Sequence, residues 1–202
     1  SRTGRWAAVT NYRDPTRDEP AERSRGELPT GFLRGDLSPM AYLEQVARRG
    51  EAYQGFNLLV CDGQELAYHS NVAGAPQVVT PGVHGLSNHL LDTPWPKVQR
   101  GRRALEDHLA APDAPQPDAL FELLRDTERA PDDQLPRTGV SQAWERTLSP
   151  IFIAAPGYGT RCATVLVADD AGAYDFREQQ YPATDAARPA SHFRVKPAAV
   201  SS

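Results

Sequence analysis

Apolar and polar positions change their period several times along the chain, and each change marks an element. A strand pattern runs over residues 5–10 and ends at Asn11-Tyr12-Arg13-Asp14-Pro15. Residues 16–31 are charged and irregular and read as a surface loop. Ser38-Pro39 then opens a helix, with Ser38 as N-cap and Pro39 at the first helical position. Met40, Leu43, Val46 and Ala47 recur at helical spacing, and Gly50 closes that helix. Phe56-Asn57-Leu58-Leu59-Val60-Cys61 is a near-continuous apolar run, followed by Asp62-Gly63 as a type I′ turn signal and a return strand over 64–69. Such unbroken apolarity predicts a strand covered on both faces. Short strands are expected over 77–80 and 83–88.

The stretch 81–97 is unlike its surroundings. It holds three prolines, two glycines, His84, His89 and Trp95 between Pro94 and Pro96. No regular helix or strand accommodates that proline density, so a rigid loop is expected after residue 88, pinned by Trp95 and ending where Pro96 starts a helix. Two readings stand for this loop: a braced corner, or the wall of a binding site with Asn88 aimed at a ligand from a strand end. From Pro96, Val98, Leu105 and Leu109 make a sparse helical stripe, and a second helix covers 118–126. Residues 131–141 form a loop, and one helical turn surrounds Trp144. Strands follow over 151–153, 161–168 and 173–178, with turns at 156–160 and 169–172, and an edge strand over 192–195. Six or seven strands in hairpins, with three helices grouped in the middle, indicate α+β layers and not an alternating parallel sheet.

At 202 residues the chain suits one domain spanning 1–202. Its 40% hydrophobic content supplies a core, while 18 prolines and a mean hydropathy of -0.55 imply long loops. A net charge of -4, with arginines interleaved among acidic residues, argues against nucleic acid as a partner. No apolar run approaches the ~18 residues of a membrane helix, and the start lacks a signal-peptide core, so a cytoplasmic setting is expected. Cys61 and Cys162 lie in apolar runs and read as buried reduced thiols; no Cys/His spacing suits a metal, and no cofactor is expected. Lys97, Arg100, Arg102 and Arg103 form either a solvated helix face or a grip for an anion. Thr3-Gly4 looks like a hairpin turn without an incoming strand, so a partner strand upstream of residue 1 is expected.

Several motifs, in order along nearly the whole chain, resemble the NRDE family, also named for transport and Golgi organisation. They are Gly4-Arg5-Trp6-Ala7-Ala8-Val9-Thr10-Asn11-Tyr12-Arg13-Asp14-Pro15, Ser24-Arg25-Gly26-Glu27-Leu28, Tyr53-Gln54-Gly55-Phe56-Asn57-Leu58-Leu59, Gly85-Leu86-Ser87-Asn88, Asp92-Thr93-Pro94-Trp95-Pro96-Lys97, Ser149-Pro150-Ile151-Phe152-Ile153 and Tyr158-Gly159-Thr160-Arg161-Cys162-Ala163-Thr164-Val165. The family's opening Met-Cys and its Asn-Arg-Asp-Glu signature are not in this sequence, which therefore reads as lacking the family's first strands and nucleophile. The resemblance implies a four-layer αββα sandwich of antiparallel sheets, similar to N-terminal nucleophile hydrolases. In that class an N-terminal Cys attacks an amide, with its own α-amino group as base. By motif position, Asn88 and Asn11 resemble the oxyanion-binding asparagines, and Arg161 the supporting arginine. Arg13, Asp14, His84 and Trp95 are candidate ligand-binding residues. Ser1 sits in a turn and is not expected to replace the missing Cys. The implied small-molecule ligand is an amide substrate or, for a non-catalytic carrier, haem or an acyl-lipid, with His84 and His89 as conceivable haem ligands.

Overall fold

The residues that need covering decide the architecture. The computed structural model describes residues 1–16, 20–113, 115–169, 171–181 and 191–196. They fall into two units, residues 1–82 with 86–93, and residues 83–85 with 94–196. Both combine helices with antiparallel sheet, so the chain is of mixed α+β class.

The first unit is a four-stranded antiparallel meander, β1 (Trp6–Asn11), β2 (Phe56–Cys61), β3 (Leu66–Ser70) and β4 (Ala73–Val78), in that spatial order. Helices α1 (Glu27–Arg34) and α2 (Pro39–Ala47) lie on one face. Strand alternation sends Phe56, Leu58 and Val60 toward the helices, where they meet Leu28 and Phe32 of α1 and Tyr42, Leu43 and Val46 of α2. The start of α2 is as expected: the Ser38 hydroxyl accepts the Ala41 N–H and Pro39 occupies the first turn. Helix α1 falls inside the stretch expected to be loop. Pro29 lies in its first turn, where a missing N–H costs nothing, and Leu28 and Phe32, one turn apart, are both fully buried. Gly31 permits the close approach of the two helices, since a Cβ there would stand 2.7 Å from the Tyr42 hydroxyl, which donates to the Leu28 carbonyl.

The β2–β3 hairpin forms as expected, and β2 is buried almost throughout. Its turn is not type I′. Gly63 alone has positive φ, and residues 62–65 form a wider loop in which Asp62 Oδ1 accepts the N–H groups of Gln64 and Glu65 at 3.0 Å. The aspartate side chain takes over the role that a second left-handed residue would play. Strand β4 begins earlier than expected, at Ala73, because it pairs back on β3 through a bulge between Tyr68 and Ser70. Asn71 staples the corner before β2: its Oδ1 accepts the Phe56 N–H, and its Nδ2 donates to the Gly50 carbonyl at 2.9 Å.

In the second unit, α3 (Pro96–Leu109), α4 (Pro117–Leu124) and α5 (Gln142–Leu148) accompany a small hairpin, β5 (Ala154–Ala155) with β6 (Tyr158–Gly159), and a three-stranded meander, β7 (Cys162–Ala168), β8 (Tyr174–Gln180) and β9 (Ser191–Val195). Phe121 of α4 packs on Ala163 and Val165, the inward positions of β7. Cys162, Thr164 and Leu166 alternate with them and are exposed. Cys162 is thus not the buried thiol its apolar surroundings suggested, and Cys61 is half-buried; neither is in a disulfide. The strand expected over 151–153 does not form; the pairing begins at Ala154, around a Pro156-Gly157 turn with Gly157 at φ 73°. The strand expected over 83–88 is absent as well; its Val83 and Ser87 carbonyls are met by side chains and its Asn88 carbonyl by the main chain after β1.

His69 is the exception in the first core. It is 3% exposed, and among the described residues neither ring nitrogen has a hydrogen-bond partner; burial holds its pKa below the ordinary 6.5. The unfolded chain therefore binds a proton that the folded chain resists. Stability is full above pH 6.5 and falls, by up to about 1.4 kcal/mol per pH unit, until the folded-state pKa is passed. Denaturant titrations at pH 7.5 and 5.5 should show a smaller acid loss in His69→Phe than in the parent; equal losses would clear His69 of the effect.

Candidate functional site

The loop after β4 is held by two different sets of neighbours. Residues 83–85 belong with α3: Arg102 Nε donates to the Val83 carbonyl at 3.0 Å, and a Cβ on Gly85 would come within 2.6 Å of Val98. Only glycine fits against the helix there. Trp95 is buried and precedes α3 directly, with Pro96 at the first turn, as expected. His84 is half-buried in the same unit.

Residues 86–93 belong with the first sheet, and they meet it where β1 ends. The last rung of the β1–β2 ladder pairs Asn11 with Phe56. Just beyond it, the Arg13 N–H donates to the Asn88 carbonyl at 2.7 Å, and Asn88 Nδ2 donates back to the Asn11 carbonyl at 3.0 Å. Asn11, Arg13 and Asn88 are thereby brought together, Asn11 and Arg13 through their main chain; the Asn11 side chain is exposed. Asp14 is turned to a local task, its Oδ1 accepting the N–H and hydroxyl of Thr16. Arg161 precedes β7 in the second unit, with an exposed side chain and its carbonyl accepting the Tyr181 N–H at 2.7 Å.

Four further residues shape this loop and were not singled out from the sequence. Thr10, Asn57 and Tyr68 come from the three strands beneath it, and Thr93 comes from the loop. Thr93 Oγ1 donates its one proton to the Leu90 carbonyl at 2.8 Å and also contacts His89 Nδ1 at 2.8 Å. With the hydroxyl proton placed on Leu90, His89 is the donor in the second contact. That arrangement assigns the proton of the neutral His89 ring to Nδ1. It lies against Tyr12 with ring centroids 5.0 Å apart, and burial lowers its pKa. The spacing His89-x-x-x-Thr93 was visible, but nothing in it signals a tautomer lock.

The basic helix has its cations largely engaged. Lys97 Nζ donates to the Leu148 carbonyl, Arg100 pairs with Asp126 at 2.6 Å and donates to the Glu128 carbonyl, and Arg102 holds Val83. Three of the four residues considered as an anion grip thus fasten the second unit. Among the described residues no cluster of His, Cys, Asp and Glu could hold a metal ion, and no helix is long and apolar enough to cross a membrane.

The family description "Transport and Golgi organisation 2" matches residues 1–183. The chain belongs to that family. It is 34% identical to the transport and Golgi organization 2 homolog of Mus musculus, over 93% of this chain and 72% of the relative. It is 36% identical to the Homo sapiens homolog, over 89% of this chain and 69% of the relative. The Bos taurus homolog is 34% identical over the same shares as the mouse protein. This family member thus bears out the resemblance read from its motifs.

For this member of the transport and Golgi organisation 2 family, a histidine-selective 15N spectrum should show His89 with Nε2 unprotonated at neutral pH, titrating below 6.5. Thr93→Val should mix the two tautomers. A ring protonated on Nε2 in the parent chain would overturn the assignment.

Proposed function

We propose that this family member carries the oxyanion-binding side of an amide-hydrolysing site of the N-terminal nucleophile type, acting in the cytoplasm. Asn88 is the principal oxyanion donor, Asn11 the second, and Arg161 the supporting charge. The four-layer αββα arrangement belongs to the same reading, and the helices and antiparallel sheets of the chain are of the kind it needs. One observation supports it above others: Asn88 and Asn11 are tied together at the end of β1, with the Arg13 N–H fixing the Asn88 main chain. A carboxamide nitrogen has two protons. One goes to the Asn11 carbonyl and orients the group, and the other is the one assigned to the developing oxyanion. Pre-aimed donors of this kind stabilise charge that appears only in the transition state.

The nucleophile of this reaction is an N-terminal Cys. Cys61 and Cys162 lie within strands and do not have its α-amino base, and burial pushes the Cys61 thiol pKa up, away from the reactive thiolate. The competing role, a carrier for haem or an acyl-lipid, draws on Trp95 and the basic helix, but the engagement of Lys97, Arg100 and Arg102 within the protein weighs against an anion grip there.

The test uses a form of the protein with the family's Cys exposed as the N-terminal residue, and a panel of acyl amides. Asn88→Ala should lower kcat about 100-fold to 1,000-fold with KM little changed, the cost of losing one oxyanion donor. No turnover, together with no labelling of the Cys by an electrophile, would reject hydrolysis. Saturable haem or acyl-CoA binding without turnover, weakened by Trp95→Ala, would favour the carrier.

A further inference from the structure

Beneath the loop runs a hydrogen-bond circuit whose direction can be worked out atom by atom. The Thr10 hydroxyl donates to the Ser87 carbonyl at 3.0 Å, which commits its single proton. Asn57 Nδ2 must then be the donor to Thr10 Oγ1, at 3.1 Å, and this fixes which way the Asn57 carboxamide faces. Its Oδ1 points the other way and accepts the Tyr68 hydroxyl at 2.7 Å. The Tyr68 oxygen in turn accepts the Leu91 N–H at 3.2 Å. Proton donation therefore passes from Leu91 through Tyr68, Asn57 and Thr10 to Ser87, crossing β3, β2 and β1 and returning to the loop it left. The segment enclosed is Asn88-His89-Leu90. Asn57 is fully buried and Tyr68 is nearly so.

We propose that Thr10, Asn57 and Tyr68 are positioning residues that set the place of Asn88 by clamping the chain on both sides of it. The inference rests on the reading of Asn88 as an oxyanion donor, though the clamp itself can be measured without it. A loop with this much main chain would ordinarily let a side chain wander by an ångström, and a misplacement of that size can cost about 100-fold in rate. Here the sheet interior, not the loop, determines where the chain runs. Burial raises the Tyr68 pKa and keeps its phenol protonated, as the donor role requires. Because every bond points the same way round, each polarises the next, and breaking one weakens the others.

The test compares Tyr68→Phe, Thr10→Val and Thr10→Ser. The first two preserve shape and delete one hydroxyl, and the third keeps the hydroxyl and deletes only a methyl. In the 202-residue chain, Tyr68→Phe and Thr10→Val should each speed exchange of the Leu91 amide at least 10-fold and shift the Asn88 side-chain amide signals. Thr10→Ser should restore both. Unchanged Leu91 exchange and unchanged Asn88 signals in both deletions would overturn the proposal. In the form with an exposed N-terminal Cys, the deletions should lower kcat about 10-fold with KM held, and Thr10→Ser should recover it. If the parent shows no turnover while the Asn88 signals move as stated, the hydrolase reading fails and the clamp stands. If turnover is present and is unaltered by either deletion, the positioning role fails. Should Tyr68→Phe not fold, Thr10→Val decides the matter alone, because Thr10 is only half-buried.

Discussion

The burial of β2, along its whole helix-facing side and at Asn57 on the other, is the constraint on which the first unit rests. One face is plain: Phe56, Leu58 and Val60 meet two helices in a continuous apolar cluster. The other face carries Asn57, and a carboxamide with no access to water must find partners for its oxygen and its nitrogen or lose about 1–3 kcal/mol for each group left unmet. The partners available are Thr10 and Tyr68 on the flanking strands, both already in register opposite or beside it. Neither is satisfied by Asn57 alone, so each reaches on to the loop. One polar residue in a buried strand thus obliges the sheet to organise a loop that no regular secondary structure holds.

The same constraint explains why the loop is irregular. Ladder pairing would give residues 83–88 one kind of partner along one edge. They receive instead an arginine side chain at Val83, a threonine hydroxyl at Ser87 and a main-chain N–H at Asn88. Asp92 adopts φ 59°, uncommon for a residue other than glycine. Such a segment has its conformation imposed from outside, by the residues packed on it.

That distinction separates what could be read in the sequence from what could not. Elements whose cause is local were legible: the Ser38-Pro39 helix start, the Pro96 helix start, the β2–β3 hairpin and the β7–β8 turn at Gly172 all follow from caps, turns and periodicity. Helix α1 was missed because Gly26, Pro29 and Gly31 outweigh a single Leu28–Phe32 pair when burial is unknown. The strand assigned to 83–88 failed because its partners, two side chains and one main-chain N–H, are distant in the chain and form no ladder. Asn11 and Asn88 were identified as candidates by motif resemblance, and their meeting is a matter of tertiary structure. Asn57 was in plain view, one polar residue inside an apolar run, and it was absorbed into the strand. A lone buried Asn says only that partners exist; naming Thr10 and Tyr68 required the register of three strands.

The arrangement also bears on how a shared scaffold can keep or lose chemistry. Oxyanion donors are cheap to lose when they sit on a free loop, since any change in loop length misaims them. When the loop is clamped by the interior, loss of aim requires a change in the core, and that carries a stability cost as well. Asn57 therefore couples folding to the placement of Asn88, and substitution there would penalise both together. A carrier has no need of such placement, because contact with a bulky apolar ligand tolerates ångström-scale movement. The directed circuit below Asn88 is thus more understandable beneath a site that must aim a donor than beneath one that need only enclose a ligand.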